Sequence, residues 1–275
     1  MFSKKRLKEL LKLKTKKGRR EKERFLIEGL KFCQELLNSS FEAELVLYTL
    51  RFSKFQDGKK LLDDFVKKGV EVISVKEDII KKLSDTVTPQ GIVGIVKMKK
   101  LSLSLDASAE KSLLKNTKSE GFIEFVLAID SIKEPGNLGT MIRTADAAGV
   151  FCVLLSEGCV ELYNPKVLRS TMGSVFHLPI FENMNLEKAI LYLKKRGFKI
   201  FAADVKEGKL YDQIDYLGKV CLIIGSEAQG ISEKLLSLAF EKVKIPLYGK
   251  AESLNAAVAC GIILYQIAKK RADKV

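Results

Sequence analysis

From residue 122 onward, short and continuously apolar stretches alternate with longer helical ones, and few folds accept that pattern. The apolar stretches lie at 122–129 (FIEFVLAI), 150–155 (VFCVLL), 198–203 (FKIFAA), 220–224 (VCLII) and 243–247 (VKIPL). Helices are expected between them at about 138–148, 165–175, 186–196 and 231–240, and a last one from about 253 to 272. Strands that lack polar alternation are buried on both sides. They belong to a parallel sheet with helices on both faces. Asn164-Pro165 and Asn185-Leu186 read as helix starts, and Gly149 and Gly197 as helix ends.

The first hundred residues carry a second, smaller pattern. Residues 4–13 set Leu7, Leu10, Leu11 and Leu13 among lysines, giving an amphipathic basic helix that Gly18 is expected to interrupt. Helical stretches at 57–68 and 77–83 then alternate with strands at 44–50, 70–75 and 90–99. The expected layout is a basic helix or tail at 1–24, a small α/β domain at 25–100, a Ser/Lys-rich linker at 101–121 and the larger α/β domain at 122–275.

Charge narrows the partners. The formal net charge is +14, and residues 1–24 alone hold twelve Lys or Arg against three acids. So dense a basic block fits phosphate contact, with Lys4, Lys5, Arg6, Arg19 and Arg20 as candidate RNA contacts. Five cysteines without a CxxC pair read as reduced thiols of a cytoplasmic protein. His177 is the single histidine, so His-rich metal sites are excluded and no metal is expected. It falls in VFHLPI, which reads as a strand. No apolar run is long enough to span a membrane.

Three loops carry the chemistry, and each follows an apolar strand, where ligands of open α/β sheets collect. The first is DSIKEPGNLGTMIRTADAAG (130–149). Pro135, Gly136 and Gly139 turn the chain into a helix, Asn137 stands at its mouth and Arg143 lies farther along it. This can hold a phosphate; equally, Asn137 can be a plain N-cap and Arg143 can pair with Glu134 or Asp146. The second is LIIGSEAQGIS (222–232), where Gly225 and Gly230 bracket Glu227. A carboxylate there would repel phosphate, and neither GxxxxGK[ST] nor GxGxxG occurs in the chain. The third, IPLYGKAESLNAAVA (245–259), offers Ser253 or Asn255 as a cap for a small-residue helix.

Together these residues resemble the SpoU (TrmH) family of ribose 2′-O-methyltransferases of the SPOUT superfamily. Its first motif matches at Asn137, Gly139, Arg143 and Thr144-Ala145. Its second matches at Gly225, Glu227 and Gly230, and its third at Ile245, Pro246, Ser253, Leu254 and Asn255. Glu134 stands where Asp is common and Ala228 where Gly is frequent. Residues 20–99 are similar to the family's ribosomal-protein-like substrate-binding domain, through FLIEG (25–29) and PQGIV (89–93).

The resemblance implies a parallel-sheet domain with a deep trefoil knot, a homodimer and S-adenosylmethionine as cofactor. It places the cofactor against Gly225, Gly230, Ile245, Pro246 and Leu254. Asn137, Arg143, Glu227, Ser253 and Asn255 then carry the reaction, with Asn137 and Ser253 on the ribose and Glu227 fixing Arg143, a serine or the substrate. The implied activity is methylation of a ribose 2′-hydroxyl, with 23S ribosomal RNA ahead of tRNA. The alternatives are a tRNA enzyme or a ribosome-assembly factor that binds RNA without catalysis.

Overall fold

The computed structural model describes residues 2–101 and 124–273. The expected linker 101–121 lies outside the described residues except for Leu101. In chain order the first elements are α1 (Lys4–Leu11), α2 (Lys16–Lys22), β1 (Arg24–Glu28), α3 (Leu30–Leu37), β2 (Ala43–Tyr48) and α4 (Leu50–Ser53). They continue as α5 (Gln56–Lys67), β3 (Glu71–Ser74), α6 (Glu77–Leu83) and β4 (Ile92–Lys97). After the undescribed stretch come β5 (Phe125–Ile129), α7 (Pro135–Ala147), β6 (Cys152–Ser156), α8 (Pro165–Thr171) and β7 (Ile180–Met184). The chain ends with α9 (Leu186–Lys195), β8 (Lys199–Ala203), β9 (Lys209–Leu210), β10 (Val220–Ile224), α10 (Glu233–Leu238), β11 (Glu241–Lys244) and α11 (Ala256–Ala272).

Two compact units result. One holds the residues up to Lys99 together with Tyr163–Phe176, and the other holds the rest. The boundary therefore crosses the sequence more than once, because aromatic packing draws 163–176 into the first unit. Tyr163 stacks on Phe25 at 4.5 Å, and Phe176 meets Phe32 at 5.2 Å and Phe41 at 5.1 Å. The Tyr163 hydroxyl donates to the Lys99 carbonyl at 3.1 Å.

The first unit is built on a four-stranded sheet in the order β1-β4-β2-β3. Strands β1 and β2 run antiparallel to β4, while β2 and β3 are parallel. Leu10 and Leu13 of the basic segment pack into the core beside Leu45, Ile80 and Ile95. The N-terminal helices are thus part of the fold, and their leucines anchor them. Gly18 lies inside α2 rather than breaking it. The break falls at Thr15, whose Oγ1 accepts the Gly18 N–H at 3.1 Å and caps α2. A Cβ on Gly18 would overlap the carbonyl of Lys12, so only glycine lets α2 pass this close.

The second unit is a seven-stranded sheet in the order β7-β6-β5-β10-β8-β11-β9, with every pairing parallel. Along the strands, alternate residues face opposite layers. Val126, Ala128, Cys221 and Ile223 pack against Ala189, Ile190 and Leu193 of α9 and Leu235 of α10. On α11, Ile263, Leu264 and Ile267 are fully buried, and that helix packs on α7 and β10. The Cys33, Cys152, Cys221 and Cys260 thiols are free and buried, and burial pushes Cys33 and Cys152 up to about 12. They stay protonated and act as small apolar fillers.

Some expected elements shift. Strand β11 stops at Lys244 instead of reaching 247, because Pro246 has no N–H for a ladder. The strand read at VFHLPI (175–180) forms later, as β7 from Ile180, and β9 has no counterpart in the sequence reading; both are sheet edges, and β7 (IFENM) is only half apolar. His177 is not in a strand. It occupies a turn between the 3₁₀ segment Ser174–Phe176 and β7, which begins just after Pro179. No helix among the described residues is long and apolar enough to cross a membrane.

Gly18→Ala tests the close passage of α2. Helix propensity alone would favour Ala by about 1 kcal/mol. The overlap with Lys12 outweighs it, and the variant is expected to unfold with about 1–3 kcal/mol less stability in a denaturant titration.

Candidate active site

Strands β5 and β10 are neighbours, with Ile129 opposite Ile224, so their following loops emerge side by side. The Asp130 carboxylate is buried where they part. Its Oδ1 accepts from the Ser131 hydroxyl at 2.9 Å and its Oδ2 from the Ser232 N–H at 3.4 Å. It therefore ties the first loop to the second. Ser131 itself has φ +59°, held by its N–H donating to Ser156 Oγ at 2.9 Å. Sequence reasoning passed over Asp130; the available signal was an acid ending a continuously apolar strand.

The first loop enters α7 through Glu134, which is the N-cap, with Pro135 in the first turn. A Glu134 side-chain oxygen accepts the Asn137 N–H at 2.7 Å. The cap is thus Glu134, and the Asn137 side chain is left free for another role. That role is a bridge. Asn137 Nδ2 donates to Glu227 Oε1, and Asn137 Oδ1 accepts from Asn255 Nδ2 at 3.1 Å. Asn255 Oδ1 in turn accepts from the Ala257 and Val258 N–H groups at 2.9 and 3.3 Å, which makes Asn255 the cap of α11.

This relay joins all three loops. It also fixes both amide orientations: Asn255 must offer its oxygen to the helix, so its nitrogen faces Asn137, whose nitrogen then faces Glu227. Each Asn nitrogen keeps one further N–H for a ligand. Glu227 thus holds Asn137, not Arg143.

The second loop is a closed turn. The Ser226 N–H donates to Gly230 O at 3.1 Å and the Gly230 N–H donates back to Ser226 O at 2.9 Å. A Cβ on Gly225 would overlap the backbone of Gly230 and Ile231, and Gly230 has φ +67°. Both glycines are therefore required by the turn that presents Glu227.

The third loop is unusual in its backbone. From Ile245 to Leu254, among the described residues, no main-chain N–H or C=O has a hydrogen-bond partner. Ile245, Pro246 and Leu254 are nevertheless half-buried, while Ser253 is exposed. Backbone polar groups beside apolar walls call for a partner. A flat, nitrogen-rich ring such as adenine fits that combination.

Arg143 is exposed and has no ion pair among the described residues. Its expected partners are occupied: Asp146 Oδ2 lies 2.7 Å from His177 Nδ1, and Glu134 caps α7. Arg143 lies about one and a half turns beyond Asn137 and roughly 120° around α7, so the two present different faces. Of the basic block, Lys4, Lys5 and Arg20 are exposed, and their side chains have no partner among the described residues. Arg6 makes a two-pronged contact with Glu71 at 2.8 and 2.5 Å, which raises its pKa. Arg19 is only 3% exposed, and its Nη1 donates to the Leu13 and Lys14 carbonyls at 3.0 and 3.1 Å. It is a structural arginine and cannot reach an external RNA.

Comparison with known proteins agrees with both units. The SpoU rRNA Methylase family model matches residues 124–265, and an MRM3-like substrate binding domain matches residues 4–94. The 23S rRNA (guanosine(2553)-2′-O)-methyltransferase RlmP of Bacillus subtilis (strain 168) is 36% identical over 262 residues, covering 95% of each chain. Mitochondrial rRNA methyltransferase 3 of Homo sapiens is 29% identical, covering 92% of this chain and 69% of its own. An AdoMet-bound rRNA methyltransferase from Sinorhizobium meliloti superposes with a TM-score of 0.82 at 31% identity, covering 98% of this chain and 97% of its own.

The relay separates two roles of Asn255. Asn255→Ala removes both the cap and the link to Asn137, and should lower unfolding stability by about 1 kcal/mol. Asn255→Asp keeps an oxygen on the helix N-terminus but cannot donate to Asn137. Its melting temperature should stay near that of the parent while the site is disturbed. Equal destabilisation by both, measured calorimetrically, would contradict the assignment of the oxygen as the cap.

Proposed function

Since the chain belongs to the SpoU rRNA methylase family and is an S-adenosylmethionine-dependent RNA 2′-O-ribose methyltransferase, we propose that it acts on 23S ribosomal RNA through the relay-linked loops described above. The observation that carries the assignment to this site is the Asn255–Asn137–Glu227 relay lying next to the uncommitted backbone of 245–254. Both units match rRNA-acting relatives along nearly their whole length, which favours ribosomal RNA.

Ile245, Pro246 and Leu254 supply the apolar walls for the adenosine, and free backbone groups of the third loop supply its hydrogen bonds. Gly225 and Gly230 keep the second loop compact enough to lie alongside. When bound, S-adenosylmethionine provides an electrophilic methyl group, so positioning of the ribose oxygen is a large share of catalysis. Asn137 directs its remaining N–H to the ribose and Ser253 adds a hydroxyl, while Asn255 and Glu227 hold Asn137 in place. Arg143 grips the neighbouring phosphate and stabilises the developing alkoxide. It is not a base, because guanidinium stays protonated in proteins.

Arg143 faces away from Asn137 on α7, which favours a site completed by a second copy of the chain. Helix α11 supports a homodimer. One side of it is core, yet Val258 and Tyr265, spaced two turns apart on the other side, are 51% and 55% exposed. A helix apolar on both sides needs a second partner. The trefoil knot belongs to this reading as well, formed by the segment that carries the third loop and α11. Lys4, Lys5 and Arg20 offer cations to RNA phosphates on the first unit. A cytoplasmic site of action is part of the same proposal.

Labelled S-adenosylmethionine offered with separate ribosomal RNA and tRNA pools should yield a 2′-O-methylated nucleoside in the ribosomal pool. Methylated tRNA or a methylated base would redirect the substrate assignment. Arg143→Ala should reduce kcat about 10²–10³-fold with cofactor affinity unchanged. Arg143→Lys keeps the charge but loses the fork, and full recovery of that variant at raised pH would sink the clamp role.

A further inference from the structure

We infer that α4 and the start of α5 form a stacking platform for an unpaired nucleobase of the ribosomal RNA substrate, an inference that rests on the methyltransferase reading. The segment is TLRFSKFQDGKK (49–60). Its local fold uses one apolar side chain. Thr49 caps α4, its Oγ1 accepting the Phe52 N–H at 3.3 Å, and Phe52 is buried in the core. Gly58 has no Cβ to strike the Phe52 carbonyl, so α5 presses directly onto that turn. Leu50 and Phe55 point away and are 68% and 61% exposed.

Phe55 also breaks a local rule. It is the N-cap residue of α5, with extended backbone at φ −77° and ψ 137°, and no side chain caps the helix there. Ser, Thr, Asp or Asn would stabilise that position. An exposed aromatic in its place contributes nothing visible to the fold, and such departures mark function.

The surroundings identify the occupant. Arg51, Lys54, Lys59 and Lys60 are exposed, and none of their side chains has an ion-pair or hydrogen-bond partner among the described residues. The N-terminal block is mixed: Arg6, Lys12, Lys14 and Lys22 are paired with acids and Arg19 is buried, while the side chains of Lys4, Lys5, Lys8, Lys16 and Arg20 are exposed without a partner among the described residues, and no exposed aromatic ring accompanies them. Free cations around an outward aromatic ring are the chemistry of single-stranded RNA recognition: the ring takes the base face and the cations take the flanking phosphates. A partner protein with a neutral apolar face would leave these cations unanswered.

The test uses the full-length enzyme with ribosomal RNA. Phe55→Ser should raise the KM for RNA about tenfold, while Phe55→Tyr should behave like the parent. Phe55→Ser should also leave cofactor affinity unchanged and melt no lower than the parent, since serine caps α5 better. The double variant Arg51→Gln, Lys54→Gln should flatten the salt dependence of RNA binding by about one to two phosphate contacts. An active parent with an unaltered RNA KM in Phe55→Ser overturns the platform alone. A changed KM accompanied by lower melting, or by a shift in sedimentation, also overturns it, because the residue would then serve the fold or a protein interface. A parent that transfers no methyl group to RNA brings down both the platform and the function it rests on.

Discussion

The parallel pairing of β5 with β10 is the constraint on which the site depends. These strands lie far apart in sequence but adjacent in the sheet, and their in-register pairing brings Asp130 and Gly225 out at the same edge. Parallel order also points every strand's carboxyl end to that edge, so β11 delivers its loop there too. The helices that cover the two faces are what make continuously apolar strands tolerable. Without that burial the loops would have no common rim on which to meet.

On that rim, short polar side chains do the work of joining. Asp130 links the first two loops through Ser131 and Ser232, and the Asn255–Asn137–Glu227 relay links all three. The relay is directional because one end is a helix cap, and a cap oxygen has only one useful orientation. Pre-set amides need no reorganisation when a ligand binds, which is the condition for effective positioning. The third loop complements this by leaving its backbone uncommitted next to apolar side chains.

Charge, in contrast, is distributed less simply than its density in the chain implies. The basic N-terminal segment spends much of its charge inside the first unit: Arg6 on Glu71, Lys14 on Asp85, and Arg19 on main-chain carbonyls. Its leucines hold it against the sheet. Among the described residues, Lys4, Lys5, Lys8, Lys16 and Arg20 of that segment keep side chains without a partner, as do Arg51, Lys54, Lys59 and Lys60 around α4 and α5. Counting basic residues along the chain does not separate cations spent inside the fold from those that face outward.

What the sequence determined by itself was the class of fold and the candidate groups that the structure brings together. Uninterrupted apolar stretches demand two-sided burial, and the turns that follow the strands place Asn137 in the first turn of α7, Glu227 on a glycine-bracketed loop and Asn255 at the start of α11. These are local rules, readable along the chain. What only the tertiary structure decided was how those groups divide their duties. Glu134 rather than Asn137 caps α7, Glu227 holds Asn137 rather than Arg143, and Arg19 is interior. The edge strand β9, the late start of β7 and the capture of Tyr163–Phe176 by the first unit were equally unreadable. In each case the deciding partner is distant in sequence, and a hydrogen bond or an aromatic stack between distant residues leaves no periodicity to read.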